Sequence, residues 1–121
     1  MQEAKILEVL PSGEAFELRQ KLAEASFNLL IANKLKRSQF VMLAYLLTEF
    51  LANGYLAFEV RAFDIAKASK VHYKTRDIVR LLRDIARLGL IDLKTYRLKN
   101  QVYCKIKFLP LMEFKTPEAK Q

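Results

Sequence analysis

The stretch that most constrains this chain covers residues 61–108, which read as a short helix, a turn, a longer helix and two strands. Along the longer helix four arginines recur at spacings of four, three and four, at Arg76, Arg80, Arg83 and Arg87. At about 100° per residue, this spacing predicts one narrow stripe of positive charge. The opposite side is apolar, with Ile78, Leu81, Leu82 and Ile85. The pattern predicts a helix that faces a core on one side and an anion on the other.

The positive charge of the chain is concentrated in the same stretch. Residues 61–107 hold 13 basic and 4 acidic side chains, whereas the remainder holds 8 basic and 9 acidic ones. A localised excess of this kind favours a polyanionic partner. A membrane is not expected to be that partner, because the apolar side of the arginine helix is needed by the core. The apolar run at 40–47 is also too short to span a bilayer.

Cysteine usage and the N-terminal residues bear on the compartment. Cys104 is the only cysteine, so an internal disulfide is excluded and a reducing environment fits. The first ten residues alternate charged and apolar side chains, which is not typical of a signal peptide. We expect a cytoplasmic protein, associated with the nucleoid if it is prokaryotic.

The first 37 residues are predicted to form an N-terminal extension. Residues 5–10 are compatible with a strand or with a frayed helical turn. Residues 14–36 have a helical pattern, and their apolar surface is wider than one surface helix should expose. Two interpretations remain open for this helix: it packs across its own domain, or it also forms the interface of a homodimer.

Residues 38–110 are predicted to form the main domain. Ser38 is the expected N-cap of a helix at 39–52, which Asn53 and Gly54 end. A short strand at 55–60 follows. The next helix, at 62–69, is expected to bury Phe63, Ile65 and Ala66.

The arginine helix follows a turn at 70–74, with Thr75 as its expected cap and Gly89 as its stop. Strands at 91–97 and 102–109 alternate apolar and polar residues, so one face should be buried and the other basic. Asn100 suits the left-handed backbone of the hairpin tip. Pro110 should end the second strand. Residues 111–121 form a C-terminal tail, whose polar part after Phe114 should be loose.

Residues 38–109 combine the predicted order helix, strand, helix, helix, hairpin with two short motifs: Asp64-Ile65-Ala66, and Leu88-Gly89-Leu90-Ile91 preceded by Leu81 and Ile85. In these features the chain resembles a winged helix-turn-helix domain of the kind found in transcription regulators. The resemblance implies a mainly α (α+β) fold, with an added N-terminal helix and a C-terminal β-hairpin that acts as the wing.

The resemblance also implies which residues contact double-stranded DNA. The helix at 75–88 would enter the major groove, with Arg76 and Arg80 on base edges and Arg83 and Arg87 on phosphates. The turn before it would contribute His72, Tyr73 and Lys74. Near the wing tip, Arg97 and Lys99 would reach the minor groove or adjacent phosphates, and Lys105 and Lys107 would add to the positive field.

An alternative for the arginine stripe is a solvated helix face, stitched by ion pairs from Asp84 to Arg80 and Arg87. Enzymatic chemistry is not expected. One histidine and one cysteine cannot build a tetrahedral zinc site, the three glycines form no phosphate loop, and no nucleophile has an evident base. We therefore predict no catalytic residue, no cofactor and no metal.

Two functions follow as expectations. The first is a sequence-specific, double-stranded DNA-binding protein, a transcriptional regulator that forms a homodimer through helix 14–36. The second is a winged-helix module that contacts other proteins within a replication or transcription assembly, since the superfamily includes both.

Overall fold

A computed structural model describes residues 4–69 and 74–110. Within these ranges the chain forms an α+β structure, and the expected order of helix, strand, helix, helix and hairpin after residue 36 is confirmed. The elements are β1 (Lys5–Val9), α1 (Ser12–Ile31), α2 (Arg37–Glu49), a 3₁₀ turn (Leu51–Asn53), β2 (Tyr55–Arg61), α3 (Ala62–Ser69), α4 (Thr75–Arg87), β3 (Ile91–Leu98) and β4 (Gln101–Phe108). The expected turn residues 70–73 and the tail at 111–121 lie outside the described residues. No helix in the described ranges is long and apolar enough to cross a membrane.

The four strands form one antiparallel sheet in the order β1-β2-β4-β3. Residues 5–9 are therefore a strand, and they pair with β2 at the edge of the sheet. The hairpin of β3 and β4 stays in register along its whole length, from the pair Ile91 and Phe108 to the pair Leu98 and Gln101. The helices pack on the face that carries Phe58, Cys104 and Phe108, and the other face bears the polar residues.

One buried cluster joins the helices to the inner face of the sheet. Phe58 contacts two other phenylalanines within it: its ring stacks on that of Phe50 at 3.8 Å and lies 5.9 Å from that of Phe108. Ala15 and Leu22 of α1 belong to the same cluster. The ranges 1–37 and 38–110 thus share one core, in which α1 packs on α2 and the 3₁₀ turn.

The first helix ends five residues earlier than its apolar pattern predicts. The backbone of Asn33 is left-handed, with φ of 61°, a conformation that asparagine tolerates just after a helix end. The N–H groups of Lys34 and Leu35 both donate to the carbonyl of Leu29 and close the turn. Residues 32–36 were predicted to be helical, which is wrong because this turn replaces the last helical hydrogen bonds.

The second helix begins before its predicted cap. Ser38 lies inside the first turn, so its prediction as the N-cap is wrong; the N-cap is Lys36, whose backbone is extended. The Lys36 N–H donates to the side-chain oxygen of Gln39 at 2.8 Å. This hydrogen bond, from the N-cap amide to the side chain three residues later, is half of a capping box and does not involve Ser38. The helix then ends at Glu49, and the 3₁₀ turn carries the chain to Gly54.

Gly54 and Gly13 should respond in opposite directions to replacement by alanine. Gly54 has φ of +86°, and a Cβ there would lie 3.1 Å from the carbonyl oxygen of Leu10. We expect Gly54→Ala to lower the free energy of unfolding by about 1 kcal/mol or more. Gly13 lies in the first turn of α1 with open space around it, so Gly13→Ala should leave stability unchanged or raise it by up to about 1 kcal/mol. Urea denaturation of both variants measures the difference, and equal losses would contradict the strain at Gly54.

Candidate functional site

The arginine helix α4 begins and ends as its backbone hydrogen bonds dictate. The carbonyl of Lys74 accepts from the N–H groups of Asp77 and Ile78, so Lys74 is the N-cap and Thr75 is the first helical residue. The prediction that Thr75 caps the helix is therefore wrong, and no side chain of the described residues donates or accepts a capping hydrogen bond at this end. The predicted stop is confirmed, because Gly89 is left-handed, with φ of 83°, and donates to the carbonyl of Ala86.

The two sides of α4 divide as the sequence predicts. The apolar side is buried, with Ile78, Val79, Leu81, Leu82 and Ile85 facing the core. The four arginines of the stripe are all exposed. The apolar side holds the helix against α2, α3 and β3, so the charged side is presented outward on a fixed support.

A groove of about 790 Å³ lies between the start of α4 and the inner side of the hairpin. Four basic residues line it, and none of its lining residues in the described part of the chain is acidic. The lining residues are Phe63, Lys74, Thr75, Arg76, Val79, Arg83, Thr95, Tyr96, Arg97, Asn100, Gln101 and Val102. A concave surface that carries one sign of charge raises the local concentration of the opposite ion. The groove therefore favours anions over cations.

The four arginines do not share one environment. Arg76 and Arg83 line the groove. Arg87, on the other edge of the stripe, forms an ion pair with Asp84 at 3.2 Å. Asp84 also accepts a hydrogen bond from the side chain of Gln39 at 3.1 Å, so this carboxylate ties α4 to α2.

The alternative interpretation of the arginine stripe, a solvated helix face held by ion pairs to Asp84, therefore applies to Arg87 and not to Arg80. The Asp84–Arg87 pair is present, whereas no ion pair between Arg80 and Asp84 occurs among the described residues. Arg80 extends from the exposed face without a carboxylate partner in that part of the chain.

The hairpin turns through two residues beside the groove. Lys99 and Asn100 have φ of 50° and 66°, the left-handed pair that a two-residue hairpin connection requires. Asn100 is thus in the predicted conformation. Arg97 lines the groove, and Lys99 is exposed at the tip.

Lys105 and Lys107 lie on the opposite face of the sheet. They alternate along β4 with Cys104, Ile106 and Phe108, which are buried against the helices. Lys107 forms an ion pair with Glu8 of β1 at 3.3 Å. The Lys105 ammonium lies 6.0 Å from the centre of the Tyr96 ring. These two lysines are therefore not part of the groove, and any effect on a ligand there acts through the longer-range field.

Tyr96 links the hairpin to β2 on that outer face. Its hydroxyl donates a hydrogen bond to the carboxylate of Glu59. This bond raises the pKa of Tyr96 to about 12, because it stabilises the protonated phenol beside a negative charge. The ring of Tyr96 also stacks on Tyr103 at 5.1 Å, with 9° between the planes.

Cys104 is buried on the inner face of β4 and is a free thiol. Burial raises the pKa of this thiol to about 11, although the nearby positive charge of Arg83 acts in the opposite direction. The thiol is therefore protonated at neutral pH, which fits a side chain that packs rather than reacts.

Phe63 is a residue of the groove that sequence reasoning missed. It was predicted to be buried, which is wrong: its side chain is 51% exposed and forms part of the groove wall. The reason is the helical register, since Ala62 and Ile65 turn toward the core and Phe63 points about 100° away from Ala62. Its ring instead lies 5.8 Å from the guanidinium of Arg61.

The structure thus collects four of the predicted contact residues and separates others. Lys74, Arg76, Arg83 and Arg97 surround the groove. Outside it lie Arg80, Arg87, Lys99, Lys105 and Lys107. The predicted contacts His72 and Tyr73 fall outside the described residues. Compared with protein-family models, curated proteins and solved structures, the chain has no match.

Proposed function

We propose that this chain is a winged helix-turn-helix protein that binds double-stranded DNA, with no enzymatic activity, and that it regulates transcription as a homodimer. The observation that carries the proposal is the basic groove between α4 and the hairpin, which places four cations around one concave surface. An α-helix with its side chains is about 10–12 Å wide, and the major groove of B-DNA is about 12 Å wide. The exposed side of α4 is therefore of the right size and charge to enter it.

The environments of the arginines support different roles along the helix. Arg80 has an exposed side chain and no carboxylate partner in the described chain, so it is available to form a bidentate contact with guanine. Arg76 and Arg83 face the hairpin across the groove, where a phosphate backbone passing between helix and wing would meet both. Arg87 is held by Asp84 and is the weakest candidate of the four.

The dimer proposal rests on an exposed apolar stripe along α1. Phe16, Phe27 and Ile31 are each more than half exposed, and their spacings of 11 and 4 place them on one helix face. Ala23 lies next to the midpoint between Phe16 and Ile31, seven residues from one and eight from the other. An antiparallel pair of α1 helices would therefore bring Phe16 of one copy against Ile31 of the other, with small side chains at the crossing point.

Selection of bound duplexes from a random pool tests both parts, with the mass in solution measured on the same sample. A dimer should select a near-palindrome whose half-sites are about one helical turn apart, and binding should weaken steeply with salt. Arg80→Ala should relax the preference at one position at a cost of about 1–3 kcal/mol. Lys105→Ala should weaken all sequences about equally. Equal losses on every sequence for both variants would contradict base reading by Arg80.

A second candidate function is a protein-interaction module, favoured by the same exposed stripe of α1. In that case Phe16, Phe27 and Ile31 would dock a different protein, and DNA would bind only incidentally. Gel shifts on random duplex at low salt discriminate between the two. Absence of binding at micromolar protein would favour the interaction module over the DNA-binding protein.

A further inference from the structure

The outer face of the sheet carries an aromatic pair beside a row of lysines. The register places Tyr103 and Tyr96 opposite each other on β4 and β3, with Arg61 of β2 on the other side of Tyr103. The adjacent outward-facing row holds Glu59 among three lysines, namely Lys5, Lys105 and Lys94. Successive outward residues on a strand lie about 7 Å apart, so the two rows are close neighbours.

The tyrosine pair is held in place before any ligand arrives. The two rings are nearly parallel, at 5.1 Å between centroids, and the Tyr96 hydroxyl is fixed by its hydrogen bond to Glu59. Tyr96 is still 39% exposed. The Lys105 ammonium lies over the Tyr96 ring at 6.0 Å, so a base that stacks there displaces a flexible lysine side chain. The rings themselves are already fixed and therefore lose little conformational entropy when a planar group stacks on them.

The charges around this pair favour a negatively charged strand. Lys5, Lys94 and Lys105 are exposed, and the one acidic side chain of their row, Glu59, is engaged by Tyr96. The next outward row holds Glu8 and Asp92 with Lys107, which pairs with Glu8, so the positive excess is confined to the lysine row beside the tyrosines. Proteins bind single-stranded nucleic acid by combining a basic surface for the backbone with aromatic rings for the bases. An acidic peptide would match the lysines but would leave the rings without a stacking partner.

We propose that the outer face of the sheet binds single-stranded nucleic acid, with bases stacked on the Tyr96–Tyr103 pair and phosphates over Lys94 and Lys105. This site is separate from the groove, because its side chains project from the face of the sheet that the helices leave exposed. The proposal does not depend on duplex binding by α4. Tyr96 also borders the groove, so Tyr103 and Lys94 are the residues that test the outer face alone.

The test measures fluorescence anisotropy of labelled single strands of about 12 nucleotides, a length within the range that such surfaces cover. Oligothymidylate and oligouridylate are compared, together with an abasic strand of equal length. Tyr103→Ala should weaken binding of the thymidine strand about tenfold or more, and Tyr103→Phe less than about twofold, because stacking needs the ring and not the hydroxyl. The abasic strand should bind the unaltered protein at least about tenfold more weakly. Tight binding of either oligothymidylate or oligouridylate supports the site, and the strand that binds more tightly identifies the ligand as single-stranded DNA or as RNA.

Two further variants separate this site from the groove and from general charge. Lys94→Ala should weaken binding of the single strand and reduce the slope of log affinity against log salt by about 0.7, the value expected for one phosphate contact on a single strand. Arg76→Ala combined with Arg83→Ala should leave single-strand binding within about threefold. The proposal would be overturned by equal binding of Tyr103→Ala and Tyr103→Phe, by equal binding of the abasic strand, by tighter binding of polyglutamate, or by loss of single-strand binding in the groove variant.

Discussion

Replacing Arg76 and Arg83 together with alanine should lower the affinity for duplex DNA by about 100-fold or more. Both side chains line the groove, which has no acidic residue among its described lining. Each charge-assisted hydrogen bond to a phosphate or base contributes about 1.5–3 kcal/mol, and every 1.4 kcal/mol is a factor of about ten. Lys74 and Arg97 remain in the groove, so binding should weaken rather than vanish.

The dependence of duplex affinity on salt concentration gives an independent test of the Arg76 and Arg83 double substitution. If both arginines neutralise phosphates, the slope of log affinity against log salt should fall by about 2, because each phosphate contact contributes about 0.9. If one of them reads a base edge instead, the fall should be smaller and the loss should depend on sequence. Anisotropy titrations at several salt concentrations, on selected and random duplexes, separate these cases.

A matched control removes the same two charges from another surface. Lys21 on α1 and Lys34 in the turn that follows it are both exposed, and neither lines the groove. Replacing both with alanine lowers the net charge equally but leaves the groove intact. This control should lose less than about threefold in affinity, as expected for a change in the distant field alone. Similar losses in the two double variants would mean that net charge and not the groove drives binding.

Local patterns were sufficient to predict much of the helix that carries these arginines. Its apolar side, its exposed stripe and its stop at Gly89 all follow from residues within one or two turns of each other. The same holds for α3, whose bounds are as predicted, and for the left-handed Asn100. In each case the determining residues are neighbours in sequence, and their periodicity or backbone preference is strong.

Contacts between distant residues account for what the sequence could not show. The stripe divides into Arg76 with Arg83 and Arg80 with Arg87 because the hairpin packs beside one edge of α4. That placement is set by the core and not by the helix itself. Asp84 turns toward Gln39, 45 residues away, so it pairs with Arg87 and not with Arg80. Likewise, the alternation in β4 predicted that Lys105 and Lys107 are exposed, but not that their face lies away from the groove.

Ends of helices were missed where a local hydrogen bond competes with the apolar pattern. Leu35 continues the apolar periodicity of α1 and is buried. It lies in the turn after the helix and not in the helix, because the backbone of Asn33 is already left-handed. At the start of α2, Lys36 and not Ser38 is the N-cap, because the backbone N–H of Lys36 can donate a hydrogen bond to the side chain of Gln39. Neither choice is visible in hydrophobic periodicity alone.

Phe58→Ala should lower the free energy of unfolding by about 4 kcal/mol, among the largest effects expected for one substitution in this chain. Phe58 is fully buried on β2, between the rings of Phe50 and Phe108. Small domains are stable by only about 5–15 kcal/mol, so much of the total would be lost. Urea denaturation followed by circular dichroism measures the change. Phe58→Leu, which keeps most of the volume, should cost less than about 2 kcal/mol.

Phe63→Ala is the control for this prediction, because it is the same substitution five residues away on an exposed side chain. Its expected cost is below about 1 kcal/mol. The contrast tests where the core lies: the cluster around Phe58 joins the end of α2 to the sheet and supports the buried side of α4. If both variants lost the same amount, the burial difference between these two phenylalanines would be wrong, and so would the exposure of Phe63 in the groove.

If only Phe58→Ala unfolds easily, Phe63→Ala remains usable as a probe of binding, since any loss of affinity in that variant would then come from the groove wall itself.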